Sequence, residues 1–574
     1  MQNQEIARHL EETARLLELQ QANSFRIRAY RQAAYAVEDF PGSIAELAAS
    51  SPEKLTELPG VGKDLATKIR QLVLEGSFPL LKELQTKFPS GLLEIMKLPG
   101  VGPKKAALLF EKLGVQSIAD LKAAASTGRI ATVSGFGKKT EQTILASLEQ
   151  FEQFGQRVLI STARAAAETI QASLSQLPEV QQVAIAGSCR RRQETCGDLD
   201  LIATSDQPEQ VMQALAAHPL VAAQLSHGPT KQRVRLHDGQ ELDLRVVPAE
   251  SFGAALQYFT GSKEHNIVLR RRATEQGLKL NEYGLFRDET RVAGTTETEV
   301  YAALGLDWIP PELRTNRGEI ELAASHHLPE LLTLSDMRGD LHMHTTASDG
   351  TASIQEMIEA ARDRGREYIA ITDHSQRVSM AHGLDADRLR AHWAEIGTIR
   401  EQYTDIQVLL GIECDILENA TLDLPDDVLA EADWVLAVLH YGLKQPREQI
   451  MQRLLNAIRN PHVSAIGHPS GRLVGQRAGA DILYEDLFQA AAEHGVMMEI
   501  NANPHRLDLD DAQAAMAKRY GIPIVINTDA HSTAGMDVME YGVDQARRAG
   551  LTRADVANAL PWDKFRKRLR NRRQ

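Results

Sequence analysis

From residue 4 to about 150, apolar positions recur at helical spacing in short stretches separated by glycine turns, which predicts a series of short amphipathic helices. The pattern then changes. A helical stretch opened by Ser161–Ile170 leads into runs of strand character: Val183 to Ala186, a second run carrying Asp198 and Asp200, and the alternating segment Glu241–Val247. Pro310–Pro311 ends regular structure, and the polar stretch Arg314 to Glu321 reads as a linker. Beyond it, the short apolar runs Tyr368–Ile371, Val408–Leu410, Val435–Leu439 and Ile524–Ile526 alternate with helical stretches. That repeat is how a β/α barrel is built, with functional residues collected at the C-terminal ends of its strands. A chain of 574 residues is too long for one core. The expected architecture is multidomain: an α-helical N-terminal part, an α+β middle and a C-terminal distorted barrel.

Composition narrows the class. No run of about 18 apolar residues and no basic-then-apolar leader is present, so neither a membrane span nor a secretory signal is expected. Cys189, Cys196 and Cys414 form neither a disulfide framework nor a Cys-x-x-Cys zinc motif, and a reducing cytoplasmic setting is expected. The net charge of −13 is unevenly distributed: residues 1–150 carry +2, residues 151–335 carry −6 and residues 336–574 carry −9. Carboxylates that hold cations count against formal charge while serving phosphate chemistry, so this acidity does not exclude a nucleic-acid substrate.

The middle region carries a phosphoryl-transfer pattern. Gly187-Ser188 breaks the first strand with backbone N–H groups and a hydroxyl suited to a triphosphate, and Arg190, Arg191 and Arg192 follow at once. Asp198 and Asp200, two apart on a strand, face the same way, and Asp243 supplies a third carboxylate on a neighbouring strand. Such a trio can hold two divalent cations about 4 Å apart for an in-line displacement. A lone Asp-x-Asp is usually a solvated edge or turn. The Gly-Ser turn, the arginines and the third aspartate argue against that here.

In the N-terminal part, Leu58-Pro59-Gly60-Val61-Gly62-Lys63, Leu98-Pro99-Gly100-Val101-Gly102-Pro103-Lys104 and Val133-Ser134-Gly135-Phe136-Gly137-Lys138 each set a Gly-x-Gly between helical patterns. Each turn presents backbone N–H groups at a helix start, a fit for a phosphate oxygen that carries no base information. One such turn is often an ordinary helix cap; three point to helix-hairpin-helix DNA contacts. Arg26, Arg28 and Arg31 are candidates for a 5′-phosphate, with a solvated helix face as the alternative.

In the C-terminal part, His342 and His344, then Asp349, His374, Glu413, His440, His468, Asp529 and His531 follow apolar runs or sit in the loops after them. Histidines mixed with carboxylates suit Mn²⁺, Zn²⁺ or Fe²⁺, and so many groups imply more than one ion. Arg472 and Arg506 are candidates for gripping substrate phosphate, with plain surface arginines as the equal alternative, and the basic stretch Lys564 to Arg573 for touching DNA or for a plain helix end.

At Gly187–Asp200, Tyr258-Phe259-Thr260-Gly261-Ser262, Asn266, Arg270 and Leu280–Phe286 the chain resembles the family X DNA polymerases. The C-terminal motifs resemble the PHP (polymerase and histidinol phosphatase) superfamily of metal-dependent phosphoesterases. The resemblance implies a lyase-like domain with the first hairpin at 1–80, fingers at 81–154, palm at 155–250, thumb at 251–314, a linker at 315–335 and a seven-stranded PHP barrel at 336–574. It implies catalysis by Asp198, Asp200 and Asp243. Gly187, Ser188 and Arg191 would hold the triphosphate; Tyr258, Phe259 and Gly261 would line the sugar, and Asn266 and Arg270 the nascent pair. DNA contacts fall to Gly60, Gly62, Lys63, Gly100, Gly102, Lys104, Gly135 and Gly137, with a monovalent cation at the hairpins. Lys68 aligns with a Schiff-base lysine of 5′-deoxyribose-phosphate lyases, but Asp64 stands where eukaryotic members carry a further lysine, and an ordinary exposed lysine is the favoured reading. The nine PHP positions would be metal ligands for Mn²⁺, or for Zn²⁺ or Fe²⁺, and the palm would take Mg²⁺ or Mn²⁺. The implied protein is a monomeric gap-filling repair polymerase acting on gapped or nicked DNA and deoxynucleoside triphosphates. Its second activity is a 3′-to-5′ exonuclease, with 3′-phosphatase and abasic-site endonuclease as further candidates. Two readings stand beside this: a PHP domain that hydrolyses a small phosphate ester, and a DNA-end scaffold with weak catalysis.

Overall fold

The computed structural model describes residues 3–38, 40, 44–58, 60–96, 98, 101–154 and 157–572. Two compact units make up the chain, Met1–Gly155 and Gln156–Gln574.

Helices build the first unit, from Asn3–Leu19 and Ser24–Glu38 through to Pro103–Leu113, Ile118–Ser126 and Lys138–Phe154. Their apolar stripes meet in one core that includes Leu10, Leu17, Ile69, Leu72, Phe78 and Leu109, all fully buried. The same hydrogen bond closes each of the three glycine turns. Val61 N donates to Leu58 O, Val101 N to Leu98 O and Phe136 N to Val133 O, at 3.0, 3.1 and 2.9 Å. In each the residue between the glycines is buried, anchoring the turn while the following helix start points outward.

In the second unit, strands β1 (Val158–Leu159) and β3 (Thr195–Cys196) pair with each other, flanking a five-stranded sheet. That sheet contains β2 (Gln182–Ile185), β4 (Asp198–Thr204), β5 (Val221–His227), β6 (Lys231–Leu236) and β7 (Glu241–Val247), in the order β2-β4-β7-β6-β5. Alternation decides what each face does. Leu199, Leu201 and Ala203 of β4 and Leu242, Leu244 and Val246 of β7 pack into a core with the helix Ile160–Ser175. The opposite face therefore carries Asp198, Asp200 and Asp243, and deeper along β4 it turns apolar at Ile202, which packs with Ala255 and Leu256 of the helix Phe252–Thr260. A small subdomain follows, with β8 (Lys279–Asn281), β9 (Gly284–Arg287) and β10 (Thr290–Ala293) beside the helix Lys263–Glu275.

The C-terminal part is a parallel sheet of seven strands in sequential order: β11 (Gly339–Asp340), β12 (Tyr368–Ile371), β13 (Gln407–Asp415), β14 (Trp434–Val438), β15 (Ala465–Ile466), β16 (Met497–Asn501) and β17 (Ile524–Asn527). A bridge between Met343 and Ala530 joins the ends of the first and last strands and closes it into a distorted barrel. Its interior holds Tyr368, Ala370, Leu409, Trp434, Leu436, Val438, Met497 and Val525. The basic C-terminal helix Trp562–Arg572 has a structural duty here: Phe565, fully buried, stacks on Tyr368 at 4.7 Å between ring centroids and closes the barrel at the N-terminal end of its strands. Among the described residues, no helix is long and apolar enough to cross a membrane.

Candidate active sites

The first site is built on the β4–β7 pair. These strands run parallel with Asp200 directly opposite Asp243. Burial, followed by the charges of Asp198 and Asp243, pushes Asp200 up to about 7. Asp243 moves the other way: burial would raise its pKa, but Arg233 and Lys231 outweigh that and lower it. Arg233 grips it twice, Nε to Oδ1 at 2.7 Å and Nη2 to Oδ2 at 2.8 Å. Three carboxylates crowded on one face, one of them forced toward its neutral form, are a donor set that divalent cations fit.

The turn Gly187–Arg190 packs against this strand, with Ala186 N donating to Asp200 O at 2.8 Å. Gly187 has φ +64°, the left-handed region. Arg191 donates to the Thr260 carbonyl, while its Nε is buried with no hydrogen-bond partner. Gly261 lies beside it, since a β-carbon there would come 3.0 Å from Arg191 Nη1. Tyr258 and Phe259 meet edge to face at 5.0 Å, with Arg270 5.7 Å over the first ring and Arg245 4.3 Å over the second. Asn266 is buried, donating to the Tyr258 carbonyl at 2.7 Å and accepting from Gln257 at 2.7 Å. Its amide thus fixes the Tyr258 backbone. Arg190 is committed to Glu297 at 2.8 and 2.7 Å, beside Arg314, which meets the same carboxylate at 2.7 Å.

The second site lies at the C-terminal end of the barrel strands. Inward positions recur every second residue, and the series runs on into the ligands: Tyr368 and Ala370 to His374, Leu409 to Glu413, Trp434, Leu436 and Val438 to His440, Val525 to Asp529. All nine sequence-predicted ligands converge. Four groups place their ligand atoms close enough to share a cation: His344, Asp349, His374 and His531; His342, Glu413 and His468; His342, His344 and Asp529; His374, Glu413 and His440. Glu413 is the hub, with His468 Nε2 at 2.9 Å, His342 Nε2 at 3.3 Å, His440 Nε2 at 3.4 Å and His374 Nδ1 at 2.5 Å.

Within the cluster, His344 Nδ1 and His468 Nδ1 are buried with no hydrogen-bond partner. Burying polar atoms unsatisfied is costly, and cations in the cluster would satisfy them. Two ligands, His468 (φ +24°) and Asp529 (φ +56°), also have backbone conformations rare for residues other than glycine. Burial, then His531 and His374, push His344 down to about 4. Burial opposes charge on His374 too, but Glu413 and Asp349 raise it to about 10.

A supporting layer was not legible in the motifs. Glu499 accepts from His342 Nδ1 at 2.9 Å, from His468 N at 2.7 Å and from Asn527 at 2.9 Å. Asp415 meets His440 Nδ1 at 3.0 Å, and Asn501 donates to Asp529 at 3.0 Å. Glu499 and Asn501 alternate within an otherwise apolar strand, a signal that points both inward. Arg506 reaches the cluster, with Nε 3.4 Å from Asp529 Oδ2. Arg472 requires a correction: its guanidinium is used on Glu194 and on the carbonyls of Arg506 and Leu507, so it is not free to grip substrate phosphate.

In the first unit, Gly62 and Gly102 are the N-caps of the helices beginning at Lys63 and Pro103, and Gly137 precedes the helix beginning at Lys138. Lys104 lies in the first turn of its helix. Gly60 and Gly135 have φ +74° and +93°. Gly100 lies outside the described residues. Lys68 forms an ion pair with Asp64. Burial would lower its pKa, but Asp64 and Tyr30 raise it, the opposite of what an amine nucleophile needs.

Comparison with known proteins agrees along the chain. Residues 1–78 match the helix-hairpin-helix domain, 92–150 the SAM-like helix-hairpin-helix tandem, 160–240 the DNA polymerase beta palm, 255–315 the DNA polymerase beta thumb and 340–503 the PHP domain. DNA polymerase/3′-5′ exonuclease PolX of Bacillus subtilis (strain 168) is 40% identical over 563 residues, 97% of this chain and 98% of that protein. The barrel by itself is similar to a probable phosphatase of Thermoanaerobacter sp. (strain X514), 29% identical over 38% of this chain and 89% of the relative. A probable phosphatase of Acetivibrio thermocellus is 31% identical over 33% and 78%. With hairpins, palm, thumb and PHP barrel in one continuous match, the chain belongs to the PolX family of DNA polymerases, family X polymerases that carry a C-terminal PHP domain.

Proposed function

We propose that the protein is a two-site DNA-end enzyme: a template-directed gap-filling polymerase joined to a 3′-to-5′ exonuclease. What supports this is the presence in one chain of an in-register aspartate pair beside a Gly-Ser turn and of a nine-ligand histidine and carboxylate cluster. The domains run 1–80, 81–154, 155–250, 251–314, 315–335 and 336–574, the order set out above.

At the palm, Asp198, Asp200 and Asp243 hold Mg²⁺ or Mn²⁺, which supplies charge neutralisation at the α-phosphate under attack by the primer 3′-hydroxyl. Ser188 and Arg191 hold the triphosphate. Tyr258 and Phe259 line the sugar, Asn266 keeps their backbone in place, and Arg270 reaches toward the nascent pair. Arg233 holds Asp243 ionised. The glycine turns and Lys63 and Lys104 take the DNA backbone, with a monovalent cation at the hairpins. The protein acts on gapped or nicked DNA as a cytoplasmic monomer. Lys68 performs no lyase step, because Asp64 and Tyr30 raise its pKa and favour the protonated amine.

At the barrel, the nine ligands hold Mn²⁺, or Zn²⁺ or Fe²⁺, which supplies Lewis-acid activation of water for phosphodiester hydrolysis. Glu499, Asp415 and Asn501 orient the ligands, and Arg506 offers positive charge to a phosphate at the cluster's edge. A second reading of this site, hydrolysis of a 3′-phosphomonoester, is favoured by its likeness to proteins named as probable phosphatases.

The test uses a labelled primer on a one-nucleotide gap with a downstream 5′-phosphate, in Mn²⁺, with and without deoxynucleotides. Wild type should extend with nucleotides and shorten without them. Asp200→Ala should lose only extension and His344→Ala only shortening. If shortening is absent, or survives in His344→Ala, the exonuclease assignment fails, and release of inorganic phosphate from a 3′-phosphorylated primer then decides the second reading.

A further inference from the structure

The run Arg192-Gln193-Glu194 connects the Gly187–Arg190 turn to β3 and the aspartate strand, and the barrel holds all three of its side chains. Arg192 Nε lies 3.6 Å from Asp544 Oδ2. Gln193 Oε1 accepts from Arg548 Nη2 at 3.2 Å. Glu194 accepts from Arg472 with both oxygens, at 3.3 Å from Nη1 and also from Nη2, and from Gln545 Nε2 at 2.7 Å. On the other side the run is tied to the turn through its backbone, Gln193 N to Ser188 O and Arg192 N to Cys189 O, both at 3.1 Å. Arg192 itself has φ +55°, a conformation that needs support from its surroundings.

The barrel side is equally fixed. Arg472 donates to the Arg506 carbonyl at 3.0 Å and to that of Leu507, and Gln545 also donates to Leu507 O at 3.3 Å. Glu194 and Arg472 are 21% and 17% exposed, so their two-pronged bond is shielded from the screening that weakens surface pairs. The palm turn is a single helical turn, and its residues Arg190 and Arg191 are tied to Glu297 and the Thr260 carbonyl on the side away from this run.

We infer that Arg472 and Gln545 of the PHP barrel are positioning residues for the polymerase, fixing Glu194 and through it the Ser188–Arg191 turn in the arrangement that receives the triphosphate. This rests on the polymerase reading above. On this account the barrel is part of the nucleotide site.

The test is single-nucleotide extension of a gapped primer by the full chain, with the deoxynucleotide titrated, for wild type, Glu194→Ala, Glu194→Gln and Gln545→Ala. Glu194→Ala should raise KM for the nucleotide about tenfold with kcat within about threefold of wild type, and Gln545→Ala should raise KM about threefold. Glu194→Gln, which keeps an acceptor, should fall between wild type and Glu194→Ala. Exonuclease activity of Glu194→Ala should match wild type. An unchanged KM in folded Glu194→Ala, or a loss confined to kcat, overturns the inference. Should Glu194→Ala fail to fold, an unchanged KM in Gln545→Ala overturns it. A wild type that extends no primer at any nucleotide concentration overturns the polymerase reading instead.

Discussion

Gly187 lies so close to Asp200 that a β-carbon on the glycine would stand 2.2 Å from the aspartate Oδ2. The backbone there is also left-handed, so alanine is disfavoured twice, by φ and by the carboxylate. Gly187→Ala should therefore displace Asp200, lowering primer extension by about 100-fold or more. Shortening of the primer without nucleotides should stay at the wild-type rate. Equal loss of both activities would point to misfolding instead.

Glu297 gives the stability of this region its pH dependence. Burial alone would raise its pKa, but Arg190 and Arg314 overcome that and hold it at about 2. A carboxylate lowered in the folded state adds stability that is fully present above its ordinary value of 4.5 and is lost as pH falls from there toward 2. Arg314 is wholly buried, so Glu297→Gln takes away the carboxylate it is hydrogen-bonded to, at a cost of roughly 3–5 kcal/mol near neutrality. The loss should show as a lower Tm at pH 7 that converges on wild type toward pH 3. A difference independent of pH would remove the ion pair from the explanation.

How much of this was written in the chain depends on distance along it. The Asp198 and Asp200 pair, and each barrel ligand after its apolar run, are local patterns, because period-two alternation fixes which side chains share a face. The three hairpin turns are local too, and the described glycines Gly60, Gly62, Gly102, Gly135 and Gly137 stand in turns or at helix starts. Glu499 could have been found from its alternation with Asn501 in β16. Arg472 could not be placed correctly, since its partner Glu194 lies 278 residues away and neither segment alone marks the contact. The C-terminal basic stretch hid Phe565, whose role as a barrel plug depends on Tyr368 and Trp434 in distant strands. Packing between domains, unlike periodicity, leaves little trace in sequence.

Lys68 tests the lyase question by its partner. Removing the Asp64 carboxylate leaves burial as the leading influence on the amine, which lowers its pKa and raises the neutral fraction. Borohydride trapping on DNA with a 5′-deoxyribose phosphate should accordingly be weak in wild type, stronger in Asp64→Asn and absent in the double variant carrying Lys68→Ala. Trapping that is strong in wild type and falls in Asp64→Asn would restore Lys68 as a working nucleophile.

Glu499 touches His342, the His468 backbone and Asn527 without being counted among the ligands. Its truncation should loosen two histidines of the cluster together. Glu499→Ala should bind Mn²⁺ some 10–100-fold more weakly by calorimetry and lose exonuclease activity at limiting Mn²⁺, with partial recovery when the ion is raised. Extension at the palm should persist. Wild-type Mn²⁺ affinity in this variant would deny Glu499 an orienting role.

Gly102 separates the needs of the fold from those of DNA. At Gly60 the backbone has φ +74° and a β-carbon would meet Gln32 Cβ at 3.0 Å, so the fold itself requires glycine there. Gly102 is different: φ is −77°, which any residue adopts, and an added β-carbon would have no heavy atom within 4 Å. Nothing in the packing demands glycine, yet the exposed position caps a helix whose first backbone N–H belongs to the exposed Lys104, where a phosphate would have to come close. Gly102→Val should thus leave Tm within about 2 °C of wild type while weakening binding to gapped DNA about tenfold. The loss should be the same for unrelated sequences, because the contact is with the backbone. A variant that binds gapped DNA as well as wild type would remove the second hairpin from the DNA interface.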